Sequence, residues 1–255
     1  MVMTAHRPFR LFVKVLLLAV PGILSMVPSI STMLAGALPP GGPSPTVVVF
    51  LASLQSLLLV AAAAGLGTWL APKVGFGAPA LTSGEIVDTI RRVAPGALLA
   101  GIGTGAVMVL VEVLVFRPYL PEALYMLSRK PAPVELIPAF LYGGIVEEIL
   151  IRWGLMSLFT WLLYRLFSGG KGQVRPVQVW VAITAAALLF GAGHLPAIGA
   201  MGIEMTTPLL IRTLVQNGLP GMVFGWFFAR RGLESAMFAH IGTHVGLFLL
   251  RTLLA

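Results

Sequence analysis

The sequence predicts an all-α, polytopic membrane protein of about seven to eight transmembrane helices, and three observations lead there. Apolar residues make up 58% of the chain and charged residues only 10%, where soluble globular domains carry roughly 25% charged residues. The mean hydropathy is +0.95. Runs of about 20 apolar residues recur, each long enough at ~1.5 Å rise per residue to cross a ~30 Å hydrocarbon core. These runs use nearly all of the 255 residues, so 1–255 reads as one membrane domain with no room for a separate soluble one.

Taken in order, the spans are expected near 11–38, 46–71, 93–116, 135–164, 177–195, 207–229 and 234–254. The start, with Arg7, Arg10 and Lys14, has the basic end of a signal peptide. Its apolar run continues to about Leu38 without a small-residue cleavage site, so an uncleaved first span is expected. "PPGGPSP" at 39–45 is a turn between the first two spans. Segment 82–92, "TSGEIVDTIRR", reads as a short amphipathic connector lying on the membrane surface, capped by Ser83, with Ile86, Val87 and Ile90 on one face. Gly101, Gly103 and Gly105, and later Gly221 and Gly225, are spaced to let helices approach closely in lipid. No strand precedes them, which argues against a phosphate cradle. No internal repeat of the kind common in transporters is visible.

Charge follows the same segmentation. Arg7, Arg10, Lys14, Lys73, Arg91, Arg92, Arg165, Lys171, Arg175, Arg230 and Arg231 fall in connections on one side of the spans. The positive-inside bias makes that side cytoplasmic, with the N-terminus inside, in a multi-pass protein of the inner (plasma) membrane. The other side has the neutral turn at 39–45 and the segment around Glu204, but also Arg117, Arg129 and Lys130. Topology thus accounts for the net charge of +8, and no nucleic-acid partner is expected. With no cysteine, disulfides, thiolate ligands and a cysteine nucleophile are excluded.

The residues that resist this description are Glu147, Glu148 and Arg152 in "LYGGIVEEILIRWGL". A charge at mid-membrane costs roughly 2.5–3.5 kcal/mol on insertion scales and usually faces a partner or a water-filled cavity. Glu148 and Arg152, four apart, are spaced for an ion pair, while Glu147 is turned ~100° from its neighbour and left free. Three histidines fall in later spans: His194 in "FGAGHLP", and His240 and His244 in "FAHIGTH". His240 and His244 share a helical face. The polar set reads either as a structural clamp between helices or as a site, because carboxylate and imidazole together can activate water and steady an oxyanion.

The motifs E-E-x-x-x-R at 147–152, F-x-x-x-H at 190–194 and an H-x-x-x-(N/D)-like position at 240–244 occur in this order on separate spans. The chain thereby resembles the CPBP family of intramembrane endopeptidases, named for CAAX proteases and bacteriocin-processing enzymes, over roughly 135–250. The resemblance implies a catalytic core over 135–255, with 1–134 as N-terminal spans and connector. By it, Glu147 is the general base acting with His194 on a water molecule. His240 and the residue at 244 polarise the scissile carbonyl, and Glu148 and Arg152 orient the set. His244 departs from the family pattern, which has Asn or Asp there.

The departure raises a second ligand chemistry, zinc held by Glu147, His194, His240 and His244, since two histidines four apart on a helix are a zinc pair. The glutamate of an H-E-x-x-H motif is replaced by Ile241, and no cofactor is the favoured expectation. His240 lies only about 9 residues past Arg231, against about 17 for Glu147 and His194 from their basic ends. Bringing them level requires either that the "RRGLES" turn be recessed into a water-filled cavity or that spans be tilted and broken. The resemblance implies an intramembrane endopeptidase acting on a membrane-anchored or lipid-modified peptide or protein, with membrane lipid around it. The rival readings are a proton-coupled transporter and a non-catalytic membrane scaffold or immunity protein.

Overall fold

The computed structural model describes residues 6–34 and 42–255, all of it helices and loops without a strand among those residues. Residues 39–41 of the turn expected at 39–45 and the end of the first span, 35–38, lie outside them. The first span is α1 (His6–Ser25) followed by α2 (Val27–Leu34). The break at Met26 is a consequence of Pro28, which has no N–H to continue the ladder and disfavours a helical residue before it. Helix α3 (Pro45–Leu70) opens with Ser44, whose hydroxyl accepts from the Val47 N–H. It ends in a 3₁₀ turn, Ala71–Val74, closed by Gly75 at φ 81°.

Next come α4 (Pro79–Ser83) and α5 (Ile86–Val111). Here the fold departs from the expected surface connector. Gly84, at φ 80°, ends α4, and nothing between Ile86 and Val111 breaks the ladder except Pro95, so 86–92 are the first turns of the third span itself. Ser83 accepts from the Glu85 N–H as a local turn rather than capping the long helix. A π-helical turn, Glu112–Phe116, ends α5. The connection to the fourth span carries three 3₁₀ turns, Arg117–Tyr119, Glu122–Leu124 and Pro133–Glu135.

The fourth span is one continuous helix over 136–168: α6 (Leu136–Pro138), π-helical stretches Ala139–Glu147 and Ile149–Met156, then α7 (Ser157–Ser168). The chain closes with α8 (Pro176–Ala192), α9 (Leu195–Ala200), α10 (Thr207–Arg231) and α11 (Leu233–Leu254). Five stretches are long and apolar enough to cross a membrane by length and composition: Pro8–Thr32, Pro45–Val74, Ile86–Tyr119, Pro176–Ala200 and Leu233–Leu254. The remaining long helices, 136–168 and α10, carry polar residues and pack inside this set. The first lies against α1, α3, α8 and α11, the second against α5, α8 and α11.

Close helix approach is secured by small residues on both partners. A Cβ added at Gly101 would overlap the Ala239 carbonyl, and one at Gly105 the Thr243 carbonyl. Gly242 and Gly246 meet the Leu98 and Ile102 carbonyls in return. Two small-x-x-x-small pairs thus face each other across α5 and α11. Gly103, grouped with its neighbours in the sequence, faces open space instead. Gly221 and Gly225 seat α10 on Ala187 and Ile183 of α8.

Both features expected from the depth mismatch, a covered turn before α11 and a break in the fifth span, are found. Gly232, at φ 95°, joins α10 to α11 directly, and the Leu233 N–H donates to the Gly77 carbonyl at 2.9 Å. Glu234 Oε1 accepts from the Leu81 N–H at 3.1 Å. The turn is therefore covered by the 77–81 segment, with Leu233 and Ser235 fully buried, so it is recessed into protein rather than into an open cavity. The fifth span breaks between α8 and α9, at Gly193 and His194.

A second buried charge cluster, not singled out from the sequence, ties the far ends of α5 and α10 together. The fully buried Glu112 carboxylate accepts from Arg212 Nε and Nη2 at 3.0 and 2.9 Å, and from Gln216 Nε2 at 3.1 Å. It also takes the Met126 N–H at 3.4 Å, while Arg251 Nε donates to the Met126 carbonyl at 2.7 Å. The 117–135 connection is thus pinned from both sides of one peptide. Breaking such a buried pair leaves an uncompensated charge, at a cost of about 3–5 kcal/mol. Arg212→Ala is expected to lower the thermal unfolding midpoint in detergent by many degrees, with Arg212→Ala/Glu112→Ala less destabilised than the single variant. Equal stability of Arg212→Ala and the parent protein would contradict the cluster's role.

Candidate active site

The π-helical register decides where the fourth span's polar groups point. On an α-helix, residues five apart are turned ~140° from one another. In a π-helix, whose hydrogen bonds run i→i+5, five residues take roughly one turn. Glu147 and Glu148 both reach the His240 ring, at 3.9 Å from Nε2 and 2.8 Å from Nδ1 respectively. Long π-helical runs are rare and concentrate at functional sites.

Glu148 and Arg152 form the ion pair expected from their spacing, with Nη1 to Oε1 at 3.3 Å and both side chains buried. Arg152 is held on every side. Its Nη2 donates to the Gly221 carbonyl at 2.8 Å, and its guanidinium lies over the rings of Phe190 and Phe224, at 5.1 and 5.4 Å from their centroids. Gly221 is required for this approach, because a Cβ there would stand 3.2 Å from Nη2 and 3.1 Å from Ala187 Cβ. Pro220, just before it, cannot donate to the preceding turn of α10.

The same Glu148 oxygen bonds His240 Nδ1 at 2.8 Å. With Nδ1–H donated to Glu148, Nε2 is the free nitrogen of the ring, and it faces Glu147 Oε2 at 3.9 Å. Glu147 makes no hydrogen bond among the described residues, and its side chain retains 21% exposure where Glu148 has none. The two neighbouring carboxylates are therefore differentiated: one is buried, with Oε1 held by Arg152 and His240 and Oε2 without a hydrogen-bond partner, and the other is partly accessible and makes no hydrogen bond among the described residues.

Aromatic faces fix the histidines. His240 stacks on Phe224 at 4.4 Å and 20°, and His244 stacks on His240 at 5.0 Å and 16°. His194 sits at the break between α8 and α9, with Nδ1 paired to the Phe190 carbonyl at 2.8 Å. The Phe190 ring packs edge-on against both His194 and His240, at 4.9 and 5.9 Å. Phe190, the first residue of F-x-x-x-H, is thus the spacer that sets those two imidazoles around one ring. All six residues singled out in the sequence fall in one neighbourhood, with His194 joined to the rest through Phe190 rather than by a hydrogen bond.

Two further glycines complete the site. A Cβ at Gly143 would lie 2.8 Å from His244 Nε2 and 3.6 Å from His240 Nε2, and one at Gly144 would lie 2.5 Å from Ile241 Cγ1. The pair in "LYGGIVEE" therefore lets α11 approach the fourth span until imidazole meets carboxylate. Sequence reasoning missed Gly143, Gly144 and Phe224, and read Gly221 as a packing residue only. Small residues immediately before the acidic pair were the available signal for the first two.

The group alternatively read as zinc ligands has a different geometry. Among the described residues no three His, Asp or Glu side chains are arranged to hold a metal ion. His240 and His244 lie face to face, so their in-plane lone pairs run side by side, while the Nδ1–Glu148 bond of His240 leaves Nε2 open, as it is in a metal-bound histidine too.

Arg152 is the test of this construction. Arg152→Ala is expected to abolish activity and to destabilise the fold by about 3–5 kcal/mol, because Glu148 is left buried without its cation. Arg152→Lys should recover only part of either, since a point charge replaces a fork that bonds Gly221 and stacks on two rings. Measured turnover and unfolding midpoints that match the parent protein in Arg152→Ala would refute the ion-pair argument.

Comparison with known proteins gives one family match. Residues 129–246 match the family model described as "Type II CAAX prenyl endopeptidase Rce1-like". No curated protein and no solved structure matches the chain. The matched segment contains both glutamates, the arginine and all three histidines, and it sits in a bundle with several membrane-crossing helices. The chain is accordingly a multi-pass membrane protein by its helices, and its segment 129–246 is similar to the Rce1-like type II CAAX prenyl endopeptidase family.

Proposed function

We propose that the protein is a glutamate-type intramembrane endopeptidase that hydrolyses a peptide bond in a membrane-anchored or lipid-modified substrate. The observation that carries the reading is the unequal carboxylate pair. Glu148 is locked between Arg152 and His240, which leaves Glu147 partly accessible, unpaired and 3.9 Å from His240 Nε2. A base must be free to take a proton, and a carboxylate already bonded to two cationic or donor groups is a poor one.

In this reading Glu147, working with His194, removes a proton from a water molecule whose oxygen attacks the scissile carbonyl carbon. The developing oxyanion is met by imidazole N–H groups of His244 and of His240, the latter as donor when its ring carries a second proton. Collapse of the tetrahedral intermediate breaks the C–N bond, and the proton held by Glu147 passes to the leaving amine. Glu148 and Arg152 do not touch the substrate; they fix the His240 ring. No metal is used, a choice supported by the face-to-face histidine rings. The basic connections support a cytoplasmic N-terminus in the inner (plasma) membrane. The family's printed name supports a prenylated C-terminal peptide as one substrate class; an anchored precursor or a signal remnant has the same membrane-proximal character.

The decisive experiment is a cleavage assay with purified protein on membrane-proximal and prenylated peptides. Glu147→Gln and His194→Ala are each expected to abolish hydrolysis while leaving the unfolding midpoint near that of the parent, and the double variant should be no worse than either. Near-normal turnover of Glu147→Gln in detergent would show that the base lies elsewhere.

His244 separates the two chemistries. As an oxyanion donor it can be replaced by an asparagine amide, so His244→Asn should keep substantial activity and His244→Ala should lose roughly 10²-fold or more. As a zinc ligand it could not, because an amide is a poor substitute for imidazole on zinc. Turnover of both variants, with bound zinc by elemental analysis before and after a chelator, decides it. Stoichiometric zinc lost along with activity in His244→Asn would overturn the metal-free mechanism.

A further inference from the structure

Away from the catalytic cluster, a groove opens between the N-terminal end of α1 and the C-terminal end of α3. It encloses about 460 Å³ and is lined by Pro8, Phe9 and Phe12 on one side and by Gly65, Thr68, Trp69, Pro72 and Lys73 on the other. The second set follows from helical spacing: 65, 68, 69, 72 and 73 form one stripe along α3 and its 3₁₀ extension. Another face of the same helix is occupied, because Gly67 packs against Trp153 and Ala63 against Gly154 of the fourth span. The groove thus opens beside the face of α3 that meets the fourth span, Trp69 also lying 6.0 Å from Trp161 near the end of that span, and no residue of the candidate site lines it.

Its two ends differ in chemistry. The floor is apolar, and the flanking Phe9 and Trp69 rings are 69% and 58% exposed, which water would not favour but acyl chains would. At the mouth stands Lys73. Its ammonium lies 3.5 Å above the Trp69 ring centroid, held there rather than extended, and it has no acidic partner among the described residues. Thr68, one turn deeper, has a hydroxyl with no hydrogen-bond partner within the protein. An apolar slot closed by a fixed, unneutralised cation at the basic end of the bundle is complementary to an amphiphile with one negative head, and tryptophan with lysine marks the membrane–water boundary where such heads lie.

We propose that this groove binds one anionic phospholipid, its phosphate on Lys73 and one acyl chain along Phe9, Phe12 and Trp69. The site is separate from the proposed peptidase chemistry and stands whether or not that chemistry is correct. Lys73 is the determinant of headgroup choice, and the aromatic walls take the chain of any lipid without discrimination.

The test is thermal unfolding of the full chain in a neutral maltoside detergent, with additions of dioleoylphosphatidylglycerol, dioleoylphosphatidylcholine, dioleoylglycerol or inorganic phosphate. The phosphatidylglycerol is expected to raise the midpoint of the parent protein well above the shift given by the other three. Lys73→Gln should lose more than half of that extra shift, Lys73→Arg should keep it, and Lys171→Gln, at a remote exposed lysine, should leave it unchanged. Because Lys73 lies at the surface, Lys73→Gln is expected to fold normally without lipid. The proposal is overturned if phosphatidylglycerol gives no extra shift over phosphatidylcholine, if phosphate alone reproduces it, or if it persists in Lys73→Gln.

Discussion

Everything in the catalytic half of the molecule is arranged around one buried oxygen, Glu148 Oε1. It holds the Arg152 guanidinium at 3.3 Å and His240 Nδ1 at 2.8 Å, with no access to water. A carboxylate in that setting is tolerable only if its partners are in place, and each partner needs support of its own. Arg152 draws in the Gly221 carbonyl and two phenyl rings, which fixes α10 and the end of α8. His240 draws in α11, which reaches the site only because Gly101, Gly105, Gly242 and Gly246 let it sink against α5. One electrostatic requirement therefore sets the mutual positions of four helices.

The same requirement explains the division of labour between adjacent glutamates. Two neighbouring carboxylates with equal surroundings would be equally engaged. Here the first makes no hydrogen bond among the described residues, while the Arg152 guanidinium and His240 Nδ1 are both turned to Oε1 of the second. The glycines at 143 and 144 and the recessed turn at Gly232 serve this arrangement as much as packing does. They bring imidazole down to a depth that α11, counted from Arg231, would otherwise not reach until further along the helix.

A second network at Glu112 follows the same rule with a different outcome. There four donors saturate the carboxylate and nothing is left free. Saturation makes a clamp, whereas the accessible, unpaired neighbour of Glu148 makes a candidate base. Both clusters are buried charge inside apolar helices, and only the satisfaction of their hydrogen-bonding capacity tells them apart.

The sequence by itself determined that the chain crosses a membrane as an all-α bundle, because composition and run length leave no alternative. It also marked Glu147, Glu148 and Arg152 as too costly to be incidental, and the i, i+4 spacing of Glu148 and Arg152 was enough to pair them, but it passed over the buried Glu112 and its partner Arg212. It misread 82–92 as a separate surface helix, since amphipathic patterning over two turns cannot reveal that the ladder simply continues into α5. It could not anticipate the π-helical register, the meeting of His240 with Glu148 across 92 residues, or the role of Phe190 as spacer between two imidazoles. Those depend on which helices become neighbours and how closely glycine lets them approach. Local periodicity encodes the faces of each helix, but contact between faces is a property of the packed bundle alone.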